Sequence, residues 1–249
     1  MNTSVDHPLS LTSAGYKVFS QFEEDGLIIF ILAKIGMKHF SFIEIGADDG
    51  INSNCANLAL NFNLKGLFID ANKKSIVRGK YFYKRYPNIY GNKPKFCFAQ
   101  VKRDNINSLI ESGGFTGGVD LLSIDIDGND YWIWDAITVV SPRIVIIETH
   151  IIYGFRDIVV PYDPAYFFPG RHPQYHGASP VAMVKLGRKK GYRLIGANQL
   201  GFNFIFLRND EGQDFFPEVS VDSILQHPIC DISDIDESVF SFPFETPIK

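Results

Sequence analysis

Five short apolar runs recur along the first part of the chain, each followed by a turn rich in Gly, Asp or Asn and then by a segment of helical character. The runs are Ser41 to Ala47, Gly66 to Ala71, Lys95 to Val101, Val119 to Ile126 and Arg143 to His150. They are nearly continuous in Ile, Leu, Val and Phe, which is the pattern of parallel strands covered on both faces. Asp104 and Asp130 stand where helix caps belong after the third and fourth runs. Ahead of the first run, Ser20 and Glu23 have the S-x-x-E spacing of a capping box, and Gly36 offers a C-terminal stop, so a helix is predicted over 20–36.

After Glu148 the regularity breaks. Residues 151–179 are rich in Tyr, Phe, Pro, Gly and His without a period, which predicts an aromatic lid inserted into the domain. Ser179-Pro180 restarts a helix that runs to Lys190 and stops at Gly191. Tyr192 to Ala197 and Asn203 to Leu207 read as two closing strands joined around Gly201. The expected architecture is α/β: a Rossmann-like, doubly wound, mostly parallel seven-stranded sheet with helices on both faces. Residues 1–210 form that domain, and the weakly patterned, acidic residues 211–249 form a C-terminal extension expected to be partly loose or used in association.

Composition narrows the function classes. A chain of 249 residues with 45% hydrophobic residues buries a core without staples. Its 14% aromatic content, 22 Phe included, fits an aromatic-walled pocket or an interface, so a homo-oligomer is compatible with it. A net charge of -4 gives no basic field for nucleic acid. The one basic cluster, Lys185, Arg188, Lys189 and Lys190, lies at a helix end, where cations suit the dipole. Cys55, Cys97 and Cys230 are too widely spaced for a disulfide framework or zinc site, which fits a reducing cytoplasm. The apolar run Leu27 to Ala33 is too short to cross a membrane, and Met1 to Gly15 lacks signal-peptide features.

In an open α/β sheet, ligands sit outside the carboxyl ends of the strands. The first strand ends in Glu44-Ile45-Gly46-Ala47-Asp48-Asp49-Gly50, where glycines admit a ligand to the backbone and acidic groups surround it. The second ends in Asp70, placed to accept the ribose hydroxyls of a nucleoside. The glycine spacing is G-x-x-x-G and not G-x-G-x-x-G, and three carboxylates crowd the place where a pyrophosphate would dock. S-adenosylmethionine carries a sulfonium and an ammonium and no phosphate, so it suits this loop better than a nicotinamide dinucleotide.

Taken in order, Ser20-Gln21-Phe22-Glu23-Glu24-Asp25-Gly26, the E-I-G-A-D-D-G loop, Ser53-Asn54, Gly66-Leu67-Phe68-Ile69-Asp70 and Asp125-Ile126-Asp127-Gly128 resemble class I S-adenosylmethionine-dependent methyltransferases of the FkbM-like type. The resemblance spans about residues 16–210. It implies that Glu44, Gly46, Asp48 and Gly50 line the methionine part of the donor and that Asp70 holds the ribose. It also implies that Gln21 and Asp25 close the site from the leading helix, and that Gln100 and Val101 flank adenine. The acceptor it implies is a sugar or another small polar precursor, methylated on oxygen. The family's usual K-x-D-x-E-G arrangement at the fourth strand is replaced here, with Ser123 and Asp127 standing where lysine and glutamate belong.

Methyl transfer needs in-line positioning and removal of the acceptor's proton. Asp125 and Asp127 at the fourth strand end, and Glu148 and His150 at the fifth, are the candidates. His150 or Asp127 is the expected base, and Glu148 an orienter or acceptor ligand. Tyr162, His172 and His176 of the lid are expected to line the acceptor site. The acids also describe a divalent-metal site, which is admitted and not expected. An NAD-type oxidoreductase and a non-catalytic nucleoside-binding module are the competing classes.

Overall fold

The computed structural model of the protein describes residues 11–86, 91–227, 229–230, 232–233 and 235–247. Most of the leading segment read above for signal-peptide features lies outside them. Among the described residues one seven-stranded sheet forms the centre, built from β1 (Ser41–Ile45), β2 (Lys65–Asp70), β3 (Lys95–Phe98), β4 (Gly117–Ile124), β5 (Val140–Glu148), β6 (Tyr192–Ala197) and β7 (Asn203–Arg208). Their order is β3-β2-β1-β4-β5-β7-β6. All neighbours pair in parallel except β7, which lies antiparallel between β5 and β6. The fold is therefore the Rossmann-like, doubly wound architecture that the apolar runs predict.

Each run divides its side chains between two cores by the period-two rule of a strand. Ile43, Ile45, Leu122, Ile124, Val145 and Ile147 face one layer. It contains α4 (Ile106–Ser112), α5 (Asp130–Ala136) and α6 (Pro180–Lys189). Phe42, Phe68, Leu121, Ile144 and Ile146 face the other. That layer holds α1 (Glu24–Ile35), α2 (Ala56–Leu60) and α3 (Lys73–Arg85). No described helix is long and apolar enough to cross a membrane.

Several boundaries differ from the expectation, for local reasons. The helix expected over 20–36 starts at Glu24, and the Ser20 capping box does not form. Instead the Asp25 carboxylate accepts N–H bonds from Val18, Phe19 and Ser20 at 2.8, 2.6 and 2.8 Å and a bond from the Ser20 hydroxyl at 2.9 Å, which curls the chain ahead of α1. The helix after β3 begins at Ile106, so that Asn105 and not Asp104 stands at its cap position. Asp130 opens α5 by accepting from the N–H groups of Ile126 and Gly128, at 2.9 and 2.8 Å. Each of β1 to β5 also ends before its apolar run does, so that Ala47, Ala71, Val101, Ile126 and His150 belong to loops above the sheet.

The residues after Glu211, expected to be partly loose, are tied down where they are described. Arg143, fully buried, donates to Glu211 at 2.9 and 2.7 Å, to Asp120 at 2.8 Å and to the carbonyls of Gly36 and Ile35 at 2.6 and 3.1 Å. All five guanidinium donors are thus used, joining the end of α1, β4, β5 and the start of the extension. Further on, Val239 lies in an apolar cluster with Tyr153 and Tyr175 of the insert, against which Phe240, Phe242 and Phe244 pack. Val159 bridges both Ala178 and Glu245.

Candidate functional site

Strand order reverses between β1 and β4, and a cavity of about 510 Å³ opens there above the carboxyl ends of β1 to β4. Gly46, Asp48, Asp70, Gln100, Val101, Asp125 and Asp127 line it. So do Asn129 and three consecutive aromatics of the insert, Tyr166, Phe167 and Phe168. Gly46 is needed for the construction: its φ is +83°, and any Cβ would overlap the carbonyl oxygen of Asp125. The β1 and β4 loops therefore touch through backbone alone. Gly50, with φ +67°, turns the loop beyond the cavity, where the Tyr83 hydroxyl donates to its carbonyl at 2.5 Å.

Asp70 is fixed by two N–H bonds, from Asp48 at 2.8 Å and from Asn72 at 2.6 Å. Partial burial nevertheless raises its pKa. The carboxylates expected to crowd the first loop are partly neutralised. Arg78 of α3 pairs with Asp49 at 2.6 Å and with Asp48 at 3.0 Å. Glu44 is also corrected. On β1 it shares the side of Phe42, so it points into the α2 layer, accepting from the N–H groups of Asn54 and Cys55 at 2.9 and 3.0 Å and from the Ser53 hydroxyl at 2.9 Å. Burial there pushes its pKa up to about 7 despite those bonds. Its role is to anchor the start of α2 and not to line the cavity.

Carboxyl groups gather also between the ends of β4 and β5. One carboxylate oxygen from each of Asp125, Asp127 and Glu148 lies within 4.8 Å of the others. Burial, with Asp130 and Asp127 nearby, raises Asp125 to about 8. Burial also raises Asp130 to about 6 and Glu148 well above the usual carboxylate range. Asp127 holds a left-handed backbone, φ +56°, which a non-glycine residue adopts at a cost of order 1–3 kcal/mol. That strain turns its carboxylate into the cavity mouth. Ser123, at the place of the family lysine, is buried and accepts from Asn54 at 3.1 Å.

A second cavity of about 480 Å³ adjoins the first and shares Asn129, Tyr166 and Phe167 with it. Its lining adds Tyr162, Arg171, Tyr175 and His176. A third cavity, about 510 Å³, lies beyond β6 around Leu11, Ala197, Ile224 and Cys230. Size does not choose among them, but of the three only the first lies over the strand reversal and is lined by Asp125 and Asp127 of the acid cluster.

Other expected site residues are placed elsewhere. Gln21 is exposed ahead of α1 with its carbonyl bound by Lys17, and Asp25 is enclosed by the turn it holds together, so neither lines the first cavity. His150 does not suit the base role: its Nε2 meets the Gln174 carbonyl at 3.0 Å, and its ring stacks on His176 at 4.1 Å. Burial lowers its pKa to about 3. His172 lies between the Asp236 carboxylate at 3.3 Å and the Gln174 N–H at 3.1 Å, so it staples the insert to the extension and lines neither cavity. Sequence reasoning missed Phe167, Phe168 and Arg78. The aromatics carried only the signal of an aromatic-rich insert.

No protein-family model matches the chain, and no curated protein does. Among solved structures, the chain is similar to the N-terminal domain of EvdMO1 with S-adenosylhomocysteine bound, at 11% identity and TM-score 0.48 over 78% of this chain and 90% of that one. It is also similar to magnesium protoporphyrin IX methyltransferase from Synechocystis with S-adenosylmethionine bound, at 12% and 0.46 over 74% and 77%. A third likeness is to an S-adenosylmethionine-dependent methyltransferase from Clostridium acetobutylicum, at 8% and 0.46 over 73% and 89%. These are likenesses of fold.

Proposed function

We propose that the protein is an S-adenosylmethionine-dependent methyltransferase that methylates a hydroxyl of a small, polar, sugar-like acceptor. One observation carries this reading. The cavity at the strand reversal has carboxylates at both ends, Asp70 on one side and Asp125 with Asp127 on the other, and no Lys or Arg among the described residues that line it. A pyrophosphate would lie against those acids with no cation to meet it, whereas a sulfonium and an ammonium are attracted to Asp70 and Asp127 and favour the ionised form of the buried Asp125. The sequence argument placed this field on the first loop; the acid cluster on β4 and β5 supports the same conclusion from a different set of residues.

Asp70 retains acceptor capacity on both oxygens for the ribose hydroxyls. Gln100 and Val101 flank the base, and Gly46 lets the methionine part approach the backbone. The second cavity takes the acceptor, with Tyr162 and His176 in its wall. Asp127 takes the acceptor's proton, helped by Asp125 and Glu148, whose raised pKa values let the cluster hold a proton near neutral pH. A second reading rests on the same three carboxylates: Asp125, Asp127 and Glu148 suit a divalent cation, which would lower the pKa of a bound hydroxyl.

Calorimetry with S-adenosylhomocysteine and NAD side by side tests the donor. Binding of the first and not the second is expected, and the reverse overturns the reading. Release of S-adenosylhomocysteine in a screen of sugar acceptors tests the transfer, and its survival in excess chelator removes the cation.

A further inference from the structure

Phe167 is 80% exposed and Phe168 44%, yet both line the cavity that holds Asp70 and Asp125. Resting on the donor reading above, we propose that Phe167, with Phe168 beside it, covers the nucleoside half of the donor and that the Phe167 ring stacks on adenine. The roots of the segment that carries them are pinned. The Tyr162 hydroxyl accepts from the Arg103 N–H at 3.1 Å, and Asn129 donates to the Asp163 carbonyl at 2.8 Å. The Tyr166 ring is seated against Gly128 and Gly170, and a Cβ at Gly170 would stand 2.7 Å from it. The segment is therefore held at the loops after β3 and β4, with Phe168 set edge-on against His176 at 5.5 Å, while the Phe167 ring projects at its tip.

The ends of β2 and β3 supply Ile69, Ala71, Ala99 and Val101 to the same cavity. A purine needs such a slot, apolar on its faces, and aromatic stacking on a base is insensitive to charge. The division of labour follows from the donor's own chemistry. Its adenine is flat and neutral and takes the rings, while its cationic half takes the carboxylates. Covering the base also removes the exposed Phe surface from water, which drives closure without a new polar contact.

The test is calorimetry of S-adenosylhomocysteine and of free adenosine with the wild type, Phe167→Ala, Phe167→Trp and Phe155→Ala. Phe155 is 54% exposed on the same insert and lines none of the three cavities. Phe167→Ala is expected to weaken both ligands roughly tenfold, Phe167→Trp to restore them, and Phe155→Ala to leave both within about twofold. Affinities of Phe167→Ala within about twofold of wild type, an equal loss in Phe155→Ala, or a loss confined to S-adenosylhomocysteine would overturn the proposal. A wild type that binds neither ligand would overturn the donor reading itself.

Discussion

At the scale of single residues, two aspartates divide the work, and substitution separates them. Asp70→Ala is expected to weaken S-adenosylhomocysteine binding tenfold or more, read by calorimetry, because two charge-assisted bonds to ribose are worth roughly 1.5–3 kcal/mol each. Asp127→Asn is expected to leave that affinity nearly unchanged and to lower turnover by about two orders of magnitude, as removal of a general base does. The reverse pattern would exchange their roles. The buried acids also set a pH dependence. Asp125 at about 8, Glu44 at about 7 and Asp130 at about 6 bind protons more tightly folded than unfolded, where carboxyls titrate near 4. On these acids alone the folded state holds more protons, a trend that the buried neutral His150, at about 3, opposes below about pH 6.5, so stability falls with rising pH most clearly between about pH 6.5 and 8. The ligand-free melting temperature should decline across that window, and Asp125→Asn should flatten the decline.

At the scale of elements, Gly46→Ala is the severest small change the structure admits. The new methyl group collides with the Asp125 carbonyl, and φ +83° is strained for alanine. A loss of several kcal/mol in a denaturant melt is expected, with loss of donor binding, since neither backbone can yield without parting β1 from β4. This junction was half legible in the sequence. The five runs gave β1 to β5 because burial on both faces leaves a continuous apolar signature, the two closing segments gave β6 and β7, and Ser179-Pro180 marked α6 because capping is local. Glu44 was misread because its side of β1, shared with Phe42, sends it to α2. Asp48 and Asp49 read as part of a carboxylate crowd because their partner, Arg78, lies some thirty residues along, on α3. His150 looked like a base because its partners, Gln174 and His176, belong to an insert without a period. Contacts of that range leave no local trace.

At the scale of the whole molecule, the two rims of the sheet have separate duties. The carboxyl ends carry the cavities and the acids, and the opposite rim carries the Arg143 knot with Asp120 and Glu211. Bonds from Arg143 and Lys38 hold Glu211 down at about 2 against the opposing effect of burial, so the knot stays charged at any ordinary pH. Arg143→Met strands two buried carboxylates and is expected to cost about 3–5 kcal/mol, measured by denaturant unfolding. Donor affinity in the surviving folded fraction should be untouched, because the knot lies across the sheet from the cavity. A matching loss of affinity would mean that the rims are coupled.

The aromatic seam between the insert and the chain's end has a practical consequence for redesign. Tyr153 meets Phe244 at 5.4 Å, and Tyr175 meets Phe242 at 4.8 Å. Anyone transplanting 151–179 from another protein to change acceptor preference would leave the rings of 240–244 facing a foreign surface. The two stretches form one exchangeable cassette, and a chimera should keep its solubility only when both are swapped together.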